Sequence, residues 1–166
     1  MSQANELYQQ VILDHNRNPR NYREMPGATH VCHGHNPLCG DNITIYAKVL
    51  VDGAGNETLE DLSFQGSGCA ICKASSSLMT TQLKGKPIAE AKLLFGEFHE
   101  MVKGNLNPET EPNHLGKLKL FEGVKEYSSR IKCATLSWRA LEQAFAQSPP
   151  DKEVSAVSTE AEGAAD

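Results

Sequence analysis

The sequence has no long apolar run, no excess of basic residues and no internal repeat. A membrane-spanning helix needs about 20 consecutive apolar residues, so the sequence excludes one. Lysine and arginine number 16 against 21 aspartate and glutamate residues, and no basic patch indicates a nucleic-acid surface. Residues 1–6 lack the basic start and apolar stretch of a secretory signal. We therefore expect a cytoplasmic protein whose thiols stay reduced.

Most of the net charge of −5 belongs to the last twenty residues. From residue 147 onward, five acidic residues and one lysine sum to −4, which leaves −1 for the rest of the chain. The stretch 148–166 is small, polar and acidic and has no periodic apolar face. We therefore predict one domain over residues 1–147 and a disordered acidic tail over residues 148–166.

Apolar spacing predicts an α+β domain, in which a small antiparallel sheet of about three strands packs against helices. Alternation over residues 42–51 indicates a strand, and the turn 52–56 joins it to a second strand near 59–64. Residues 29–33 add a short edge strand. Helices are predicted at 5–17, after Gly68, at 87–102 and around 131–145, with a polar loop at 104–113.

Three of the five cysteines lie in short polar or glycine-rich contexts that favour a metal site or a reactive thiol. Cys39 and Asp41 are two residues apart in extended chain, so a thiolate and a carboxylate can face one ion. Cys69 follows a Gly-Ser-Gly turn at a helix start, where the helix dipole favours the thiolate. Cys133 is expected to open the last helix. Three thiolates and one carboxylate suit tetrahedral Zn²⁺.

Positive charge is expected beside the last of these cysteines. Arg130 and Lys132 precede Cys133 within three residues. Their charges favour the thiolate form of a neighbouring cysteine, because a cation stabilises the anion. We therefore include both residues in the candidate catalytic set.

Other interpretations of these residues stay open at this point. Any single cysteine could be a small core side chain. Cys69 and Cys72 form a CxxC pair at a helix start, which would also suit thiol–disulfide exchange. Cys32, His33 and His35 look like metal ligands, but chance or surface placement is the simpler interpretation. A structural zinc domain that serves as an adaptor also remains possible.

Several motifs follow one another in fixed order between residues 7 and 145: Leu7-Tyr8, Asp14-His15, Asn18-Pro19-Arg20-Asn21, Asn36-Pro37, Cys39-Gly40-Asp41, Gly66-Ser67-Gly68-Cys69-Ala70-Ile71, Lys84-Gly85-Lys86 and Arg130-Ile131-Lys132-Cys133-Ala134. In this order they resemble the SufU proteins, a branch of the IscU/NifU N-terminal superfamily. The resemblance implies the α+β fold of that superfamily, of the SufE/IscU-like type.

The resemblance also implies a function, namely sulfur relay in iron–sulfur cluster assembly. A SufS-type cysteine desulfurase would supply persulfide sulfur and be activated, and downstream Suf scaffold proteins would receive the sulfur. The zinc ligands of the family correspond to Cys39, Asp41, Cys69 and Cys133. Cys39 would be the sulfur acceptor, after a histidine of the desulfurase replaces it on the metal. Formally this makes the chain a zinc-dependent sulfurtransferase.

Two departures separate the chain from the related IscU scaffolds. Those proteins carry a histidine immediately before the last cysteine, where this chain has Lys132, and Tyr127-Ser128-Ser129 replaces their paired prolines. We therefore expect zinc-dependent sulfur transfer, with an IscU-type scaffold that holds a transient iron–sulfur cluster as the alternative. Cys72 stands where SufU proteins usually have serine, which leaves a further ligand or a second sulfur carrier open.

Overall fold

The computed structural model describes residues 3–146 and 155–158. Its elements follow the chain as α1 (Gln3–Arg17), β1 (His30–Asn36), β2 (Asp41–Val51), β3 (Glu57–Ser67), α2 (Ala70–Leu83), α3 (Ile88–Lys103), a 3₁₀ segment (Gly116–Glu126), α4 (Ser128–Phe145) and β4 (Ser155–Ser158). After α1, three consecutive antiparallel strands precede the other helices, and this separation of strands and helices confirms the predicted α+β class.

The sheet has the order β3-β2-β1-β4. β1 and β2 form an antiparallel hairpin in which Asn36 pairs with Asp41 at the turn. β2 and β3 are also antiparallel, and Asn42 pairs with Ser67. The register therefore places the β1–β2 turn and the end of β3, which leads into α2, at one edge of the sheet. Side chains from these segments can meet there.

One face of the sheet is buried against the helices. β2 alternates between buried and more exposed residues, with Ile43, Ile45 and Ala47 on the buried face. α4 packs closely on β1 at Gly34, where an added Cβ would lie 3.1 Å from the Leu136 side chain. Because glycine has no side chain, the helix can approach the strand at this point.

The helices meet around aromatic rings and a row of small polar side chains. Trp138 is fully buried and stacks on Phe98 with ring centroids 4.4 Å apart. Its Nε1–H donates to Ser75 Oγ at 3.0 Å, and Ser75 Oγ donates to the Ala134 carbonyl at 2.6 Å. Ser75 therefore joins α2 to α4 through hydrogen bonds that satisfy buried polar groups.

Most predicted elements are present with shifted ends, and three features differ from prediction. The strand predicted at the sheet edge, β1, extends to Asn36 and is not at the edge, because β4 pairs with it in parallel. Neither β4 nor the 3₁₀ segment Gly116–Glu126 was predicted. β4 lies inside the stretch predicted as a disordered tail. The rest of that tail is outside the described residues, so its disorder and the domain boundary at 147 stay predictions. No helix in the described ranges is long and apolar enough to span a membrane.

Candidate metal centre

The first two predicted ligands lie in and directly after the turn between β1 and β2. Cys39 lies in the turn itself, partly exposed, and Asp41 is the first residue of β2 and fully buried. Gly40 between them has φ +69°, a left-handed conformation that glycine adopts without strain. The tight turn therefore brings a thiol and a carboxylate to the same edge of the sheet.

The carboxylate of Asp41 is held by hydrogen bonds from two other segments. The Cys69 backbone N–H donates to Asp41 Oδ1 at 2.8 Å, and Asn36 Nδ2 donates to Asp41 Oδ2 at 3.2 Å. Asn36 Nδ2 also lies 3.6 Å from Cys133 Sγ. A buried carboxylate needs such donors, because desolvating a charge without partners is costly. Asp41 thus fixes the start of α2 relative to the hairpin.

Two glycines allow this close approach. An added Cβ at Gly68 would lie 2.6 Å from Asp41 Oδ1, and one at Gly66 would lie 2.0 Å from the Asn42 carbonyl oxygen. Gly66 also has φ +141°, which other residues rarely adopt. Glycine is therefore required for steric reasons at positions 66 and 68, where the end of β3 lies against the start of β2.

Cys69 is the N-cap residue of α2, as the sequence predicted. Its Sγ accepts a hydrogen bond from the Cys72 backbone N–H at 3.4 Å. The helix dipole and this N–H both favour a thiolate at the position. A hydrogen bond with the Cys133 thiol lowers the pKa of Cys69 to about 6, although burial opposes the shift.

Cys133 is contributed by α4, but not by its first residue. The helix begins at Ser128, so the prediction that Cys133 opens it is wrong, and the residue lies in the second turn. The side chain is fully buried and its Sγ donates to Cys39 Sγ at 3.2 Å. Hydrogen bonding to Cys69 and burial raise the pKa of Cys133, so in the metal-free protein this thiol keeps its proton.

Three of the four predicted ligands form a compact group. One ligand atom each from Cys39, Asp41 and Cys133 lies within 4.8 Å of the others. Cys69 lies beside this group, because its backbone N–H donates to Asp41 Oδ1 at 2.8 Å. Zn²⁺ accepts thiolate and carboxylate donors in tetrahedral sites, so the residue types present fit this ion.

The two basic residues occupy different positions relative to this centre. Arg130 is exposed, and a hydrogen bond to Cys133 raises the pKa of its guanidinium, with the negative charge of Cys69 adding to the effect. Lys132, two residues further along α4, is partly buried. The roles of Arg130 and Lys132 beside the cysteines stay predictions.

The remaining cysteines are outside the centre. Cys32 and Cys72 are both fully buried in the core. Burial raises the pKa of Cys72 well above its ordinary value, so this thiol is a poor second sulfur carrier. All five cysteines are free thiols, and the Cys69–Cys72 pair does not form a disulfide.

Sequence reasoning missed two contributors. Asn36 was noted only as part of a motif, yet it orients Asp41, which it pairs with in the hairpin; the strand predicted at 29–33 ended before this position, so no sequence signal indicated this role. His15 was also noted only as part of a motif. It is buried, and its Nδ1 lies 2.7 Å from Ser77 Oγ, which ties α1 to α2.

Comparison with known proteins agrees with this fold. Residues 7–134 match the family described as NifU-like N terminal domain. The chain is 41% identical over 141 residues to the zinc-dependent sulfurtransferase SufU of Bacillus subtilis, covering 85% of this chain and 90% of that protein. It is 40% identical over 148 residues to the iron–sulfur cluster assembly scaffold protein IscU of Streptococcus pyogenes serotype M1, covering 89% of this chain and 88% of that protein.

Solved structures of related proteins have the same fold. The crystal structure of FiSufU from Fervidobacterium islandicum AW-1 superposes with a TM-score of 0.73 at 34% identity, covering 84% of this chain and 97% of that one. The crystal structure of a NifU-like protein (N-terminal) from Brucella abortus gives a TM-score of 0.73 at 25% identity, covering 87% of this chain and 96% of that one. The chain belongs to the NifU-like N-terminal domain family of iron–sulfur cluster assembly proteins.

Proposed function

We propose that this protein accepts persulfide sulfur from a SufS-type cysteine desulfurase on Cys39 and passes it on to iron–sulfur cluster assembly. One observation carries the proposal: a partly exposed thiol on a tight turn lies 3.2 Å from a buried thiol and close to a buried carboxylate. The zinc-dependent sulfurtransferase name of the Bacillus relative agrees with this chemistry.

Four side chains would hold the metal, namely Cys39, Asp41, Cys69 and Cys133. When bound, Zn²⁺ supplies a redox-inert positive charge that keeps cysteines as thiolates. The protein supplies the rest of the site. Asn36 and the Cys69 N–H fix Asp41, and Arg130 places a cation beside the thiols.

Cys39 is the best placed acceptor because a partner can reach it. Cys133 is fully buried, whereas Cys39 is partly exposed and its neighbour Leu38 is 68% exposed. The Cys39 thiolate attacks the outer sulfur of the donor persulfide. A new S–S bond forms at Cys39, the old S–S bond breaks, and the donor cysteine leaves as a thiolate, so any proton on the transferred sulfur stays there.

Arg130 and Lys132 are proposed to assist this transfer electrostatically. A cation beside the cysteines favours the thiolate, which is the attacking species. The five free thiols suit a reducing compartment, and we place the reaction in the cytoplasm. Downstream Suf scaffold proteins are the proposed recipients of the sulfur.

Alanine release by a SufS-type desulfurase, measured with and without the protein, tests the proposal. Wild-type protein should stimulate release, and Cys39→Ala should abolish both the stimulation and labelling by ³⁵S from cysteine. Cys72→Ala is the matched control, because it removes a buried thiol outside the centre and should retain both. Full stimulation by Cys39→Ala would refute the assignment.

A scaffold role is the second candidate, because the Streptococcus relative carries that name and three thiols converge here. It predicts that iron and sulfide produce a stable chromophore on Cys39, Cys69 and Cys133 that transfers to an apo-ferredoxin. Against it stands the donor set of the centre, which within the described residues contains no histidine.

A further inference from the structure

The open face of the sheet carries two histidines on one strand, which the cysteine chemistry does not use. His33 and His35 alternate with the buried residues of β1 and are partly exposed. Asn36 and Asp41 point to the other, buried face. The histidine pair is therefore separated from the cysteine centre by the sheet.

The two imidazoles converge on one oxygen of the neighbouring strand. His33 Nε2 and His35 Nδ1 each lie 3.1 Å from Asn42 Oδ1. The register explains this convergence, since Asn42 is directly opposite His35 and Thr44 is opposite His33. We propose that His33, His35 and Asn42 form a second metal site, which binds a divalent first-row transition ion.

The distances of the two histidine nitrogens from Asn42 Oδ1 are close to those between ligands of one ion. Metal–nitrogen and metal–oxygen bonds of about 2.0–2.1 Å place neighbouring ligand atoms about 2.8–3.0 Å apart in octahedral geometry and about 3.3–3.4 Å apart in tetrahedral geometry. Both separations of 3.1 Å lie between these values. Side-chain shifts of about a few tenths of an ångström would therefore bring each nitrogen and Asn42 Oδ1 to a metal-binding distance.

A hydrogen bond at the other ring nitrogen of His33 fixes the orientation of its imidazole. Its Nδ1 lies 3.0 Å from Thr44 Oγ1. Metal-binding histidines commonly donate the other ring N–H to such an oxygen, which selects the tautomer with a free lone pair. That lone pair is then on Nε2, which lies 3.1 Å from Asn42 Oδ1, and a cation bound by both atoms would satisfy both.

The donor types define the class of ion. Imidazole nitrogen favours zinc, nickel, copper and iron(II), whereas magnesium and calcium need oxygen ligands. The site opens onto a shallow depression of about 380 Å³ lined in part by His33, Asn42 and Thr44. Water can fill the remaining coordination positions there, so the site is an exchangeable surface site.

Nickel titration of the full chain tests the proposal, with the cysteine centre first saturated with Zn²⁺. Histidine ring resonances are followed by NMR, because bound Ni²⁺ broadens the signals of its own ligands. The His33 and His35 signals should broaden first, and Mg²⁺ should not compete. Zinc release is measured in the same titration.

Variants make the test specific. His33→Asn and His35→Asn should each abolish the nickel binding, and Thr44→Val should weaken it about tenfold by releasing the ring. His114→Asn is the matched control, because His114 is 69% exposed and hydrogen-bonded to Glu97 away from this pair. Urea unfolding confirms that each variant is folded.

Nickel binding that survives both His33→Asn and His35→Asn would overturn the site. So would nickel uptake that is matched by zinc release and leaves the His33 and His35 resonances sharp. The outcome does not depend on sulfur transfer, because neither histidine belongs to the cysteine centre.

Discussion

Replacing Gly68 with alanine is the sharpest test of how the metal centre is built. The added Cβ would lie 2.6 Å from Asp41 Oδ1, well inside the distance that such contacts tolerate. Asp41 cannot move away at low cost, because it is fully buried and accepts hydrogen bonds from Cys69 N–H and Asn36 Nδ2. We expect the carboxylate to shift and the Cys69 bond to break.

The expected magnitude follows from that bond. A hydrogen bond to a charged group contributes about 1.5–3 kcal/mol. Gly68→Ala should therefore lower the free energy of unfolding of the metal-free protein by about 2 kcal/mol, which is about 4–8 °C in melting temperature. Zinc affinity should fall about 10- to 100-fold, because Asp41 loses its orientation.

Denaturant unfolding after chelation and a zinc competition assay measure the two effects separately. Gly96→Ala is the control: Gly96 lies in α3 with no atom within 4 Å of the added Cβ. Alanine there should stabilise the helix by up to about 1 kcal/mol and leave zinc affinity unchanged. If Gly68→Ala matches wild type in both assays, the proposed steric role of this glycine is wrong.

Three further predictions concern the centre and the core. Asn36→Ala leaves one oxygen of buried Asp41 without its donor and should cost about 1–3 kcal/mol in urea unfolding, whereas the exposed control Asn105→Ala should cost far less. Burial lowers the pKa of His99 to about 4. Between about pH 6.5 and 4 the unfolded state therefore binds one more proton than the folded state, and the free energy of unfolding decreases as the pH is lowered. The loss from pH 7 to 5 should be smaller in His99→Gln by on the order of 2 kcal/mol; an unchanged pH profile would contradict the burial argument. Chelation of the metal should leave the far-UV circular dichroism of the chain unchanged, and unfolding on chelation would contradict a functional rather than structural metal.

Local pattern was sufficient to predict much of this structure. The alternation from Asn42 to Val51 and the cap at Cys69 depend on neighbours in sequence, and both are where the sequence placed them. The centre was predictable in composition, since thiol and carboxylate donors in short polar motifs indicate a metal. The role of Asn36 in orienting Asp41 was not predictable, because it depends on the register of the β1–β2 hairpin and on a contact with Cys133, 97 positions away.

The elements that sequence reasoning missed are those with weak local signals. The 3₁₀ segment Gly116–Glu126 buries only Leu118, Phe121 and Val124, and it owes its place to packing against α3 and α4. β4 is four residues long, and its pairing with β1 is a long-range event. Short elements of this kind are determined by tertiary contacts more than by propensity.

The distinction between a structural and a functional metal follows from where the core lies. A structural zinc contributes about 10–16 kcal/mol to folding in domains that have little core of their own. Here the buried cluster extends from β2 and β3 through α2, α3 and α4, and the metal centre lies at one edge of the sheet. Asp41 and the start of α2 are already held by hydrogen bonds that involve no metal. Because these hydrogen bonds do not depend on an ion, zinc bound there would be free to serve the proposed sulfur chemistry, and an adaptor whose folding depends on zinc is the weaker hypothesis.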